Sequence, residues 1–404
     1  MASIKVTLES PLDGGKEGML CYQLTYQKDI SYIYTPFKIK KEEWDPANEQ
    51  IIHQLKEGNR KAYLDSINSY IKKDKHRFRL LIKNLNDIYN AYSIKDITGK
   101  FTQIKRESSL YTLFEIHISN YKKRKQYRTS ETYASTLNSI KRFRNYEDTD
   151  ILDLSKEFIL SYKYYLLNLG LCPNTVSFYL HRLRAIHNKA IETGLTDNFA
   201  LFKNIKISYE KTVKRALDIE QIRHIKTLDL CYCPSRCFAR DMFLFSFYTR
   251  GMSFIDIAYL KKTDLRGNIL SYRRRKTGQL LSILWEPCMQ EIIDRYKSDT
   301  DSPYMLNIIN HKEEENRTEY HNKLTQINRN LKSIGKSIGI RQPLTMYVAR
   351  HSWATTAHNN GIPISVISEG MGHDNEKTTQ IYLASIERNI IDNANRKIIQ
   401  LLNM

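Results

Sequence analysis

LTMYVARHSWATT (344–356) and GMGHDNEKTTQIYLAS (370–385) are the two stretches on which the reading of this chain turns. The first is patterned as a helix that carries Arg350, with His351 beside it and Tyr347 three residues earlier on the same face. In the second, His373 precedes Tyr382 by nine positions. Each residue alone has an ordinary structural use: Arg350 as an ion-pair partner, His351 and His373 as hydrogen-bonded core histidines, Tyr382 as a packed ring between Ile381 and Leu383. Together they supply cations for phosphate oxygens, an acid for a leaving oxygen and a nucleophile, which are the parts of a metal-free phosphoryl transfer.

Two further clues precede these in the same region. FYTRGMSFIDIAYL (247–260) is an apolar helical stretch interrupted by glycine beside Arg250 and Ser253. NILSYRRRKTGQLLSILW (268–285) reads as two β-rich runs around a turn marked by Gly278, with the cationic sequence RRRKTG (273–278) at its tip. Residues 211–404 are accordingly expected to form one mostly helical domain with a small hairpin. The segment 207–221, short and charged, is expected to link it to what comes before.

Upstream, residues 107–205 carry four stretches with apolar residues at three- and four-residue spacing, predicting a four-helix domain. Thr129 and Ser130 stand where a helix N-cap belongs, and Gly170 and Gly194 where helices stop. Its polar faces are basic: YKKRKQYR places Lys122, Lys123, Arg124 and Lys125 between tyrosines, and HRLRAIHNK contributes Arg182 and Arg184. Several such runs on one small domain favour phosphate contacts over merely solvated faces. Residues 1–98 read as a small α+β module: a strand around Ile4, Val6 and Leu8, two more around the turn QKD, then one long basic helix or a pair. The fold class expected is mainly α with small β elements, in three domains.

Composition agrees with a polyanionic partner. The 404 residues contain 63 Lys plus Arg against 44 Asp plus Glu, a net charge of +19, so nucleic acid is the first candidate. With 41% hydrophobic residues the chain is not a disordered basic tail. MASIKVTLES has no continuous apolar segment, and no run of about 18 apolar residues occurs, so neither an export signal nor a membrane span is expected. Six cysteines suit reduced thiols in an intracellular protein. CYCPSRC (231–237) lacks paired CxxC spacing and reads as a loop, not a metal site.

Taken in order, RRRKTG, ARHSWAT and GMGHDNEKTTQIYLAS resemble the tyrosine recombinases, or phage-type integrases. The opening strands with IKKEEWDP look like an arm-type DNA-binding module, the four-helix region like the SAM-like core-binding domain, and TRGMSFIDIAYL like the branch carried by Bacteroides conjugative transposons and phages. The resemblance implies that Tyr382 attacks the scissile phosphate to form a 3′-phosphotyrosyl bond, that Arg350 binds the non-bridging oxygens, that His373 assists at the same phosphate, and that Lys276 protonates the leaving 5′-oxygen. It implies strand cleavage and rejoining without ATP, metal or cofactor. The partners implied are double-stranded DNA at core and arm-type sites, a homotetramer in synapsis, and accessory DNA-bending or directionality proteins, in the bacterial cytoplasm at the nucleoid. The C-terminal stretch SIERNIIDNANRKIIQLL (385–402) is expected to pack on a neighbouring protomer.

Two departures stand out. Gly251, Met252 and Ser253 occupy the place of the family's glycine–leucine–arginine, leaving Arg250 or Ser253 to replace the first catalytic arginine, and Tyr347 stands where most members have histidine. They motivate an alternative, a DNA-binding regulator or architectural protein on the same fold without catalysis. A type IB topoisomerase would share the chemistry but not the arm-like module.

Overall fold

The computed structural model describes residues 2–380 except 10–16, 53–58, 89–91, 211–214, 231, 300 and 310–316. The chain divides into two compact units, Met1–Lys211 and Thr212–Met404.

The first unit opens with an antiparallel sheet in the order β1 (Ser3–Glu9), β2 (Gly18–Tyr26), β3 (Asp29–Ile39). A two-residue ribbon, β4 (Trp44–Asp45) and β5 (Gln50–Ile51), follows. One long helix, α1 (Asn59–Ile88), then presents Leu64, Ile67, Ile71, Phe78, Leu81 and Leu85 to the core that also holds Val6, Leu20, Tyr22 and Leu24. That three- and four-residue spacing makes one apolar stripe, and each such side chain taken from water contributes about 1.5–3 kcal/mol.

Helix α2 (Ile94–Glu107), capped by Ser93 with Asp96 in a reciprocal box, leads to four further helices: α3 (Leu110–Lys123), α4 (Tyr127–Phe143), α5 (Lys156–Asn168) and α6 (Pro173–Glu192). Leu113, Phe114, Leu137, Ile140, Ile159, Leu166, Leu180 and Leu183 fill their shared core. The helices end at Gly170 and Gly194 as expected, but α4 starts before Thr129 and Ser130, which lie inside it. The reason is local: Lys125 turns left-handed, the chain re-enters helix at Tyr127, and the Ser130 hydroxyl donates to the Ile118 carbonyl of α3 instead of capping. After α6 the chain runs back along that helix. Ser177 Oγ donates to the Ser208 carbonyl at 2.8 Å, and the Asn174 side chain bonds the Glu210 backbone at both its N–H and C=O.

The second unit is built on α8 (Pro234–Tyr248), which follows α7 (Ile219–Thr227) and puts Ala239, Met242, Phe243 and Phe245 at its centre. Cys233 stands at the N-cap position of α8 and Cys237 lies in the helix, against Arg240 and Tyr296, so CYCPSRC is half helix and not a loop throughout. Short helix α9 (Phe254–Ala258) precedes a three-stranded antiparallel sheet in sequence order, β6 (Leu265–Arg266), β7 (Ile269–Arg273) and β8 (Leu280–Leu284). Then come α10 (Pro287–Tyr296), α11 (Arg317–Ser337), α12 (Met346–Asn359), α13 (Ile364–Gly370) and α14 (Glu376–Gln380). The molecule is mainly helical with small sheets, as the sequence pattern predicts. Among the described residues no helix is long and apolar enough to cross a membrane.

Candidate active site

Arg350 lies in the second turn of α12 and is only 4% exposed. Its guanidinium donates to the Gly251 carbonyl at 2.7 Å and to the Met371 carbonyl at 2.6 Å, and the same Nη2 lies 2.9 Å from His373 Nε2. Helix α12 thereby joins the turn after α8 to the turn after α13. The approach requires glycine at 251: its φ is +74°, and a Cβ there would stand 2.8 Å from Arg350 Cα. Gly372, with φ +65°, is crowded less severely: a Cβ would meet the Leu281 and Gln279 side chains at 3.0 and 3.1 Å.

Arginine offers only donors, so His373 Nε2 is the accepting nitrogen of that contact. The ring proton then resides on Nδ1, which faces Thr379 Oγ1 at 2.9 Å. Burial, reinforced by the positive charges of Arg350, Arg274 and Lys276, pushes the His373 pKa down to about 4. The imidazole is therefore neutral at neutral pH, a hydrogen-bonding group and not a third fixed cation.

A second guanidinium enters from the hairpin. Arg274, 5% exposed, donates to the Gly372 carbonyl, the residue beside His373. Its Nε has no hydrogen-bond partner among the described residues. The sequence reading passed over it for the lysine two positions on. The signal was nevertheless present: Leu270 and Tyr272 are the buried positions of β7, and the two-residue period of a strand carries Arg274 to the same inward face. Lys276 is exposed on the turn that follows, closed by a 2.7 Å bond from Gly278 N–H to the Arg274 carbonyl.

The other expected residues are placed differently. Ser253 donates its hydroxyl to buried Asp256 at 2.6 Å, and the second Asp256 oxygen accepts the Arg275 backbone N–H at 2.9 Å. Asp256 thus ties the start of α9 to the hairpin turn. Arg250 is left-handed (φ 59°) and reaches the Ser282 carbonyl at 3.4 Å. Tyr347 is 56% exposed, its ring edge-on to His351 at 4.7 Å. Tyr382 and the stretch 385–402 lie outside the described residues.

Of the basic residues expected to bind DNA in the first unit, Lys122 and Lys123 are exposed at the end of α3, Arg124 and Lys125 on the turn that follows, and Arg184 on α6. Arg182 is half-buried, its guanidinium over the Tyr133 and Phe178 rings at 5.3 and 5.2 Å.

Residues 109–207 match the phage integrase SAM-like domain, and residues 274–388 match the phage integrase family, together just over half of the chain. The chain is 29% identical over 195 residues to tyrosine recombinase XerA of Pyrococcus furiosus, a match covering 47% of this chain and 63% of that protein. It is 24% identical over 242 residues to tyrosine recombinase XerD of Halalkalibacterium halodurans, covering 57% and 77%. The match therefore spans less than two thirds of the Pyrococcus protein's length. Among solved structures, a lambda integrase tetramer bound to a Holliday junction shares the fold with a TM-score of 0.54 at 16% identity, over 88% of this chain and 93% of that one.

Proposed function

Because the chain belongs to the tyrosine recombinase and phage integrase family, we propose that it is a site-specific DNA recombinase, cutting and rejoining duplex DNA through a 3′-phosphotyrosyl intermediate. The observation that carries this reading is the convergence of Arg350, Arg274 and His373 on the short turn 371–373, nine positions before Tyr382. Arg350 and Arg274 bind the non-bridging oxygens of the scissile phosphate, exchanging carbonyl partners for oxygens whose charge grows in the transition state. Arg274 thus takes the part of the missing first arginine; Ser253, engaged with Asp256, and Arg250, turned toward Ser282, serve the scaffold.

The Tyr382 phenolate attacks phosphorus. The bond to the 5′-oxygen breaks, and Lys276 delivers the proton that leaves a free 5′-hydroxyl. His373 donates to the same phosphate from Nε2, the nitrogen now facing Arg350, in the tautomer that carries its proton there. A 5′-hydroxyl of the partner strand then attacks the phosphotyrosyl bond and releases the phenol. Tyr347 lies beside His351 and holds it by ring contact.

Lys122, Lys123, Arg124, Lys125, Arg182 and Arg184 contact the duplex in the core-binding domain (107–205), the module 1–98 binds arm-type sites, and 211–404 is catalytic. The protein works as a tetramer in synapsis, with 385–402 on a neighbouring protomer and accessory DNA-bending proteins, at the bacterial nucleoid. The Bacteroides mobile-element branch is the finer assignment, supported by the Ser253 and Tyr347 departures. The test uses nicked duplexes that trap the intermediate when the short 5′-fragment diffuses away. A covalent protein–DNA adduct on a denaturing gel, absent for Tyr382→Phe, is the expected result. Stable binding with no adduct would instead establish the non-catalytic regulator.

A further inference from the structure

Thr379 carries a buried hydroxyl to which the catalytic scheme gives no task. It lies on α14, three positions before Tyr382, and is 0% exposed. Its Oγ1 is 2.9 Å from His373 Nδ1, and across the ring Nε2 is 2.9 Å from Arg350 Nη2. The backbone that carries the ring is held as well: the His373 N–H donates to the Ser368 carbonyl at 2.9 Å, and the Ser368 hydroxyl donates to the His373 carbonyl at 3.4 Å. The imidazole therefore stands between a group that only donates and a group that can do either.

That difference decides what the ring can do. Facing Arg350, Nε2 accepts, so the proton is on Nδ1 and the Thr379 oxygen accepts it. A phosphate oxygen in the place of the guanidinium reverses the demand, because Nε2 must then donate. A second proton on the ring would satisfy both sides, but burial and the charges of Arg350, Arg274 and Lys276 push the pKa down to about 4. A neutral ring donates from only one nitrogen, so meeting the phosphate requires an exchange of tautomers. A carboxylate or a backbone carbonyl against Nδ1, the frequent partners of a histidine, only accept and would oppose that exchange. A hydroxyl rotates and donates instead.

We infer that Thr379 is the positioning residue that lets His373 change tautomer when DNA enters the site, its hydroxyl accepting from Nδ1 in the free protein and donating to Nδ1 in the complex. One proton leaves Nδ1 and one is taken up at Nε2, both exchanged with water, and the charge of the ring is unchanged. Thr379 acts on the phosphate only through His373. This rests on the recombinase reading, which supplies the phosphate.

The experiment uses NMR of the full-length protein labelled with nitrogen-15 at its 11 histidines, the His373 ring signals being those missing from His373→Gln. Spectra are taken free and with a 40-bp duplex that the protein itself selects from a randomised pool, in a Tyr382→Phe background that stops cleavage. The ring proton is expected on Nδ1 without DNA and on Nε2 with it. A proton that stays on one nitrogen in both states would overturn the inference. These spectra keep Thr379 intact, so they give a result even if a variant at that position does not fold. Single-turnover adduct formation on a nicked form of the same duplex then separates hydroxyl from methyl. Thr379→Val, which keeps the shape and loses the hydroxyl, should slow the reaction on the order of 10- to 100-fold while DNA affinity changes by less than about threefold. Thr379→Ser, which keeps the hydroxyl, should recover most of the rate. A Thr379→Val rate equal to wild type, or a Thr379→Ser rate as low as that of Thr379→Val, would overturn the inference and leave the recombinase reading standing. Wild-type protein that binds the duplex but forms no adduct would overturn that reading, and the inference with it.

Discussion

Arg274 illustrates how much one residue's direction matters. In sequence it is the second of three arginines, set apart only by the two-residue period of Leu270 and Tyr272; in the fold it alone of the three is buried beside the His373 turn. If it supplies the second guanidinium, Arg274→Ala should cut single-turnover adduct formation by about 10²–10³-fold, the cost of removing one donor from a developing oxyanion. Arg250→Ala and Ser253→Ala should each cost under about tenfold. His373 makes a prediction of the opposite kind, about stability. Its folded-state pKa is lowered to about 4 from the ordinary 6.5. The unfolded chain therefore takes up a proton in this window that the folded protein refuses, so stability present above pH 6.5 is lost as the pH falls toward 4. Thermal unfolding followed between pH 7 and 4 should show a falling midpoint whose slope is shallower in His373→Gln.

At the level of elements, the turn of the β7–β8 hairpin is tied to α9 by the Asp256 carboxylate. Asp256 receives the Ser253 hydroxyl and the Arg275 N–H, so the turn bearing Arg274 and Lys276 cannot rotate independently of α9. Asp256→Ala should leave DNA affinity unchanged while adduct formation drops on the order of 10- to 100-fold, because reacting groups misplaced by about 1 Å lose that much. Asp256→Asn, which keeps an oxygen for the Arg275 N–H, should recover most of the rate. The helices themselves were legible from apolar spacing, and the hairpin from two β-rich runs around Gly278. The start of α4 was not: Thr129 and Ser130 have the chemistry of caps, but the left-handed turn at Lys125 decides where the helix begins.

On the scale of the whole first unit, α1 packs its apolar stripe into one core and reaches the four-helix domain with charged side chains. Besides its apolar stripe, it carries Asp74 and Arg77, both buried, which pair with each other at 2.5 Å, while Arg77 also pairs with Asp150 ahead of α5. Lys73 meets Asp153 at 2.7 Å, and Lys105 meets Asp74 at 3.2 Å. The arm-like module and the four-helix domain are joined through this charge network and share Ile104 between their cores. Breaking a buried network by removing one partner leaves its counter-charge unpaired, so Arg77→Ala should lower the unfolding free energy by about 3–5 kcal/mol in chemical denaturation. Arg77→Met combined with Asp74→Leu should recover much of that loss.

The sequence by itself determined the family, the order of the helical and β-rich segments and the cationic character. Residue type and local spacing suffice for these: a tyrosine nine positions after a histidine, apolar residues every three or four, 63 basic side chains against 44 acidic. Only the tertiary structure decided that Arg274 closes on the Gly372 carbonyl, that Ser253 is committed to Asp256, and that α1 pairs its charges with Asp150 and Asp153. Those outcomes depend on which groups compete for the same buried space and the same hydrogen-bond partners, and that competition is set by contacts between segments far apart in the chain.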